Sequence, residues 1–127
     1  MTLLVLILAA LAGLLHVFIF ILESLRWEEP ATRKTFGTTP EQAAMTKQLA
    51  YNQGFYNLFL ALGAFAGIAF AFWPAVSTTL LVVSLGSMVA AAIVLVSNDH
   101  SKMRAALIQG TIPLVALLLL AVRQWTG

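Results

Sequence analysis

The 127-residue sequence contains no cysteine and few charged residues. The absence of cysteine excludes disulfide bonds, thiolate metal sites and cysteine nucleophiles. Only 9% of the residues are charged, whereas soluble globular domains carry about 25%. The two histidines, His16 and His100, lack the spacing of a metal site, and no phosphate loop, nucleophile elbow or dinucleotide fingerprint occurs. We therefore expect neither a metal nor a cofactor, and the composition disfavours a soluble domain.

Hydrophobic residues make up 61% of the chain and lie in four apolar stretches, roughly 3–25, 49–73, 76–97 and 104–122. Each stretch is close to the ~20 residues that a helix needs to cross a bilayer. The stretches are continuously apolar, whereas the strands of a membrane barrel would alternate in polarity. The sequence therefore predicts an all-α integral membrane four-helix bundle that forms a single domain over residues 1–127.

The basic residues predict the orientation of this bundle. Six of them lie between the first and second stretches or between the third and fourth: Arg26, Arg33, Lys34, Lys47, Lys102 and Arg104. Arg123 alone lies on the other side. The positive-inside rule makes the side with six basic residues cytoplasmic, so both termini should be non-cytoplasmic. We expect a multi-pass protein of the bacterial inner membrane whose partner is the lipid bilayer, and no nucleic-acid partner.

The loop after the first stretch carries a helix start signal. Thr39, Pro40 and Gln42 match an N-cap, a first-turn proline and a capping-box partner. A helix should therefore begin near Pro40 and continue without a break into the second stretch. The segment "WPAVS" at 73–77 is long enough only for a turn, so the second and third stretches should form an antiparallel hairpin.

Two ionisable residues interrupt the first apolar stretch. His16 and Glu23 are seven residues apart, which places them on nearly the same face of a helix. Ionisable groups inside a membrane span are costly and are functional candidates by default. With Arg26 at the edge, Glu23 would lie about 5 Å deep and His16 about 15 Å deep, at ~1.5 Å of rise per residue. Glu23 is shallow enough to extend to the interface instead, whereas His16 is not.

Amide and phenol groups cluster where the second stretch begins, in "YNQGFYN" at 51–57. Asn52 and Tyr56 are four apart, as are Gln53 and Asn57, so these residues predict two adjacent polar stripes. Gln109 in the fourth stretch lies at a similar predicted depth. Pro113 comes four residues later and cannot donate to the carbonyl of Gln109.

These residues predict a polar pocket in the cytoplasmic half of the bundle. The leading hypothesis is binding of a small molecule, with an enzymatic variant in which His16 or Glu23 serves as acid or base. The candidate ligand-binding residues are His16, Glu23, Asn52, Gln53, Tyr56, Asn57 and Gln109. One alternative is a proton-coupled transporter that acts as a homodimer and uses Glu23. The other is a structural protein whose amides only join helices.

Several of these residues together resemble a known family. His16, Glu23 with Trp27, "NQGFYN" at 52–57 and "QG" at 109–110 resemble the DUF1304 family of small membrane proteins from bacteria and fungi. The resemblance covers nearly the whole chain, and the hexapeptide is its most specific part. It implies a four-span integral membrane protein and no established activity.

Overall fold

The computed structural model describes residues 2–127, which are helical apart from short connections and contain no strand. Five α-helices follow one another along the chain: α1 (Leu3–Phe20), α2 (Pro30–Phe36), α3 (Pro40–Ala69), α4 (Pro74–Asn98) and α5 (Met103–Thr126). A π-helical turn, Ile21–Leu25, continues α1, and a 3-10 turn, His100–Lys102, precedes α5. The predicted all-α fold is confirmed for these residues.

Helix α3 begins as the sequence predicts. The Thr39 hydroxyl accepts from the Gln42 backbone N–H at 3.1 Å, and the Thr39 N–H donates to Gln42 Oε1 at 2.9 Å. This reciprocal pair satisfies donors that a helix start otherwise leaves unpaired. From Pro40 the helix continues unbroken for 30 residues to Ala69. The connection to α4 is a turn, and Pro74 occupies the first helical turn there, so the predicted hairpin is confirmed.

The loop between α1 and α3 contains helix α2, which the sequence reading did not predict. Pro30 begins it, and Gly37 ends it in the left-handed conformation with φ 70°, which glycine adopts without steric cost. The Thr38 N–H then donates to the Arg33 carbonyl at 3.0 Å. Lys102 Nζ donates to the Phe36 carbonyl at 2.9 Å. This last bond attaches α2 to the connection between α4 and α5.

The four longest helices pack in a ring in which α1 contacts α3, α3 contacts α4, α4 contacts α5 and α5 contacts α1. Their shared core is composed of small and medium-sized side chains: Val5, Ala9, Ala12, Ala64, Leu81, Leu85, Met88, Ala116 and Leu120. Many large apolar side chains instead face outward, including Leu14 and Phe18 on α1. Small residues between helices and large apolar residues on the outside are the arrangement that lipid favours.

Three helical segments of the described residues are long and apolar enough to cross a membrane: Leu3–Leu25, Pro74–Asn98 and His100–Thr126. Helix α3 is not among them, although it is the longest helix. The amides near its middle, Asn52, Gln53 and Asn57, lower the mean hydropathy of the helix. Helix α5 continues through the buried Pro113 to Thr126, so that proline does not end it.

Candidate functional site at the π-helical turn

The small residues of α3 determine which of its polar side chains face the bundle. Buried positions recur along the helix at spacings of three, four or seven residues: Ala43, Ala50, Gly54, Ala61, Ala64 and Gly67. Asn57 continues this spacing and is partly buried. Asn52 and Tyr56 are each two residues from Gly54, about 200° around the helix at ~100° per residue. These two side chains are exposed on the opposite face.

Glu23 and Asn57 meet across the interface between α1 and α3. Asn57 Nδ2 donates to Glu23 Oε1 at 2.6 Å, and the same amide also donates to the Gln53 carbonyl at 3.2 Å. Glu23 is only 9% exposed, so it does not extend into the surroundings as an interfacial side chain would. Its position in a π-helical turn is notable because such turns are rare and occur frequently at functional sites.

Ser24, the next residue of the turn, lies directly against Gly54 of α3. Its hydroxyl donates to the Tyr51 carbonyl at 2.7 Å. A Cβ placed on Gly54 would lie 2.9 Å from the Ser24 backbone nitrogen and would overlap Ser24 Oγ. Glycine is therefore needed at position 54 so that the backbone of the turn can approach α3. This contact accounts for the glycine inside the polar stretch.

His16 lies two helical turns before Glu23 and is 2% exposed. Its ring Nδ1 is 2.9 Å from the Ala12 carbonyl of its own helix, and it donates there when that nitrogen is protonated. No hydrogen bond of the described residues joins His16 to Glu23. His16 on α1 and Glu23 in the π-helical turn are both buried, but the structure does not pair them.

Asn52 and Tyr56, which are exposed on α3, belong to a separate surface, which we call the aromatic groove. It has a volume of about 510 Å³ and is lined by Tyr51, Asn52, Phe55, Tyr56 and Phe59. The ring of Phe55 is 5.0 Å from those of Phe20 and Tyr51. Aromatic stacking thus organises this face, whereas Asn52 makes no hydrogen bond through its side chain within the described part of the chain.

Glu23 lines a second surface, which we call the Glu23 cleft. The cleft has a volume of about 560 Å³ and lies between the π-helical turn and the start of α3. Its lining residues are Glu23, Ser24, Leu25, Arg26, Trp27, Glu28, Glu29, Ala44, Met45, Lys47, Gln48 and Tyr51. It lies at the end of the bundle that carries six of the seven basic residues.

Three contacts hold the outer wall of the Glu23 cleft. Trp27 Nε1 donates to the Thr46 hydroxyl at 3.1 Å, and its ring lies 5.0 Å from that of Phe36 in α2. Lys47 Nζ lies 3.1 Å from Glu28 Oε1 as an exposed ion pair. The indole of Trp27 thus joins three segments of the chain.

The predicted pocket residues are therefore divided. Glu23 and Asn57 meet, Glu23 lines the cleft, and Asn52 and Tyr56 line the aromatic groove. Gln53 is exposed, and Gln109 is partly buried on α5 without a side-chain hydrogen bond in residues 2–127. His16, Gln53, Asn57 and Gln109 line neither surface. Among the described residues, no three histidine, aspartate or glutamate side chains lie close enough together to hold a metal ion.

Sequence reasoning missed Ser24, Tyr51 and the contacts of Lys47. The small-residue spacing of α3 was a usable signal, because it places Gly54 and Asn57 toward a neighbour and Asn52 and Tyr56 away from it. The π-helical turn had no comparable signal. The extra residue of the π-helical turn changes the direction of the Glu23 side chain relative to a regular helix. Packing of Ser24 against Gly54 stabilises the turn.

A family model described as "Protein of unknown function (DUF1304)" matches residues 10–121. No curated protein matches the chain, and no solved structure does.

Proposed function

The chain belongs to the DUF1304 family, and we propose that it is a four-span membrane protein that binds a small amphipathic molecule in the Glu23 cleft. Both termini are non-cytoplasmic in this proposal, and the cleft opens toward the cytoplasm. The observation that carries the binding proposal is Glu23 itself, an almost fully buried carboxylate that forms part of the wall of an open cleft.

The position of α3 in the ring supports a fourth span. Helix α3 packs between α1 and α4, and both of these belong to segments apolar enough to cross a membrane. Its 30 residues extend about 45 Å at ~1.5 Å per residue, more than the ~30 Å hydrocarbon core. The excess of about 15 Å accommodates about ten residues, 40–49, at the cytoplasmic boundary.

The absence of cysteine makes this topology directly testable with single cysteines. Met45 in the Glu23 cleft is 86% exposed, and Phe72 in the turn between α3 and α4 is 79% exposed. A membrane-impermeant maleimide should label Met45→Cys only in inside-out vesicles and Phe72→Cys only in right-side-out vesicles. Labelling of both variants from one side would contradict a crossing by α3, and the reverse pattern would invert the protein.

The binding proposal depends on what Glu23 lacks. Oε1 has one donor, Asn57, and no hydrogen bond of residues 2–127 reaches Oε2. No basic side chain of the described residues lies within 4.0 Å of this carboxylate. Oε2 is not among the fully buried polar atoms and Glu23 lines the cleft, so a ligand in the cleft can supply a donor to it, and hydrogen bonds to a carboxylate are among the stronger ones. Exposed apolar side chains at the same cleft, Leu25 and Met45, would contact the remainder of such a ligand.

Mass spectrometry of protein extracted directly into lipid nanodiscs tests this proposal. The wild type should retain a specific small molecule that Glu23→Gln loses, because glutamine keeps an acceptor for Asn57 but lacks the negative charge. Glu29→Gln is the matched control, since it removes the same charge from an exposed lining residue. Equal retention by all three proteins, or retention by none, would contradict binding at Glu23.

A specific observation also favours a second candidate, in which the cluster serves only the fold. Asn57, Ser24 and Gly54 all make their contacts within the chain. Hydrogen bonds between membrane helices contribute roughly 0.6 to 2 kcal/mol each. Under this alternative Glu23→Gln lowers stability while no molecule is lost, so the melting temperature and the retained molecules should be measured on the same samples.

A further inference from the structure

We propose that the ligand of the Glu23 cleft is an amphiphile with a protonated amine at its head and an apolar tail. This inference rests on the proposed binding function and names the chemical class of the ligand. It is drawn from the partners of Glu23, the distribution of charge along the cleft and the apolar residues at its rim.

The partners of Glu23 favour a cationic donor. The carboxylate already has one amide donor at 2.6 Å, and its second oxygen has no donor within the described residues. A neutral hydroxyl would supply one further hydrogen bond. An ammonium group supplies a hydrogen bond and, to the ionised form of Glu23, a counter-charge as well, and such charge-assisted bonds are about twice as strong as neutral ones.

The other charges of the cleft do not favour an anionic ligand. Three carboxylates line it, Glu23, Glu28 and Glu29, against two basic residues, Arg26 and Lys47. Lys47 is already paired with Glu28 at 3.1 Å. Among these five side chains, Glu23 alone is buried, and a charge removed from water gains most from a partner of opposite sign.

The rim of the cleft accommodates the rest of such a molecule. Tyr51 lies at the boundary between the Glu23 cleft and the aromatic groove and is about half exposed. The face of a tyrosine ring attracts an ammonium group, and the neighbouring Leu25 and Met45 are exposed and apolar. A tail that leaves the cleft past these residues would remain in contact with apolar surface.

Three probes of equal chain length distinguish the head groups: nonylamine, nonanol and nonanoate. Each is titrated into the full-length protein in phosphatidylcholine nanodiscs, and the melting temperature is followed. Nonylamine should raise the melting temperature of the wild type and of Glu29→Gln at concentrations at least tenfold lower than those needed for nonanol. Glu23→Gln should lose this preference for the amine.

The outcomes separate the two proposals. If nonanol or nonanoate stabilises the wild type through Glu23 better than nonylamine does, the amine assignment is wrong and the binding cleft stands. If none of the three probes distinguishes the wild type from Glu23→Gln, both proposals are wrong. Tyr51→Leu provides a second variant in case Glu23→Gln folds poorly. It removes the aromatic ring but keeps the carbonyl that Ser24 needs, and it should weaken nonylamine binding; unchanged binding would contradict the amine assignment.

A primary ammonium occurs on free amines and on the headgroup of phosphatidylethanolamine. The titration is therefore repeated in nanodiscs that contain equal parts of phosphatidylethanolamine and phosphatidylcholine. If the lipid headgroup occupies the cleft, nonylamine should become several-fold weaker in these discs by competition. If phosphatidylethanolamine leaves the nonylamine concentration dependence of the melting temperature unchanged, the ligand is a free amine.

Discussion

The middle of α3 and its last turns face their neighbours in different ways. The middle, from Tyr51 to Asn57, meets the π-helical turn through the Tyr51 carbonyl, Gly54 and the Asn57 amide, which is the single donor to Glu23. The last turns meet α4 through small residues and hydroxyls. There Ser77 Oγ donates to the Gly67 carbonyl at 2.6 Å, and the side chain of Leu81 lies against Gly67.

This difference indicates that the interface with α4 serves packing, whereas the interface with the π-helical turn is a candidate binding site. A serine hydroxyl that donates to a helix carbonyl is satisfied inside the protein, so the interface with α4 leaves nothing for a ligand to complete. The interface with the π-helical turn is equally close at Gly54, but it includes a buried carboxylate beside an open cleft. Adding a Cβ should therefore destabilise both interfaces. Removing a polar side chain should affect ligand binding only at the interface with the π-helical turn.

The largest effect on stability is expected when a Cβ blocks the close approach of the neighbouring segment to Gly54 or to Gly67. Gly54→Ala would place a Cβ 2.9 Å from the Ser24 backbone nitrogen, and Gly67→Ala would place one 2.7 Å from the side chain of Leu81. Each should lower the free energy of unfolding by about 1–3 kcal/mol, as overpacking does. Thermal unfolding in a mild detergent measures both.

Gly86→Ala is the control for these two variants, because a Cβ there has no neighbour within 4 Å. It should leave stability unchanged or raise it slightly through better helix propensity. Only Gly54→Ala should also reduce nonylamine binding, since it displaces the turn that holds Glu23. If Gly54→Ala and Gly86→Ala unfold at the same temperature, the π-helical turn does not approach α3 as closely as the structure shows.

A smaller effect is expected when the donor to Glu23 is removed. Asn57→Ala leaves Oε1 of a buried carboxylate without a partner and should lower stability by about 1–2 kcal/mol, the range for such bonds between membrane helices. Asn52 lies two positions from Gly54 on the exposed face. Asn52→Ala should therefore change stability by less than about 0.5 kcal/mol, as surface substitutions do. Equal losses for the two asparagines, measured by thermal unfolding, would place both on the buried face and contradict the structure.

The smallest effect on stability is expected at Asp99, whose carboxylate, unlike that of Glu23, accepts two hydrogen bonds from neighbouring groups. Asp99 accepts hydrogen bonds from the Ser101 hydroxyl at 2.6 Å and from the Ser101 backbone N–H at 3.0 Å. These bonds hold the pKa of Asp99 below its ordinary value of 3.8. Because the folded-state pKa is depressed, the stabilisation is present above pH 3.8 and is lost as the pH falls through the lower folded-state pKa.

Asp99→Asn is the matched variant for this pH dependence, since asparagine caps helices about as well as aspartate and does not titrate. The two proteins should melt at similar temperatures at neutral pH. Below pH 3.8 the wild type should lose stability relative to Asp99→Asn. A constant difference across this range would show that the capping bonds do not depend on the charge of Asp99.

Much of the helical architecture followed from apolar run lengths and capping signals. The Thr39 capping box and the tight turn before Pro74 depend on neighbouring residues, so local sequence was sufficient to predict them. The division of the polar cluster was not predicted, because grouping Asn52 with Asn57 ignored the small residues that decide which side of α3 is buried. Helix α2 and the π-helical turn depend on contacts between distant residues, such as Lys102 with Phe36 and Ser24 with Gly54.

Photocrosslinking tests most directly whether the Glu23 cleft is the binding site. An alkylamine and an alkyl alcohol, each with a diazirine in its chain, are activated in nanodiscs that contain the wild-type protein, and the labelled residues are mapped by mass spectrometry. Using both head groups makes the answer independent of the amine assignment. We predict labels concentrated on Leu25, Met45 and Tyr51 that decrease in Glu23→Gln. Labels concentrated on Tyr56 and Phe59 of the aromatic groove, unaffected by Glu23→Gln, would contradict the proposed site.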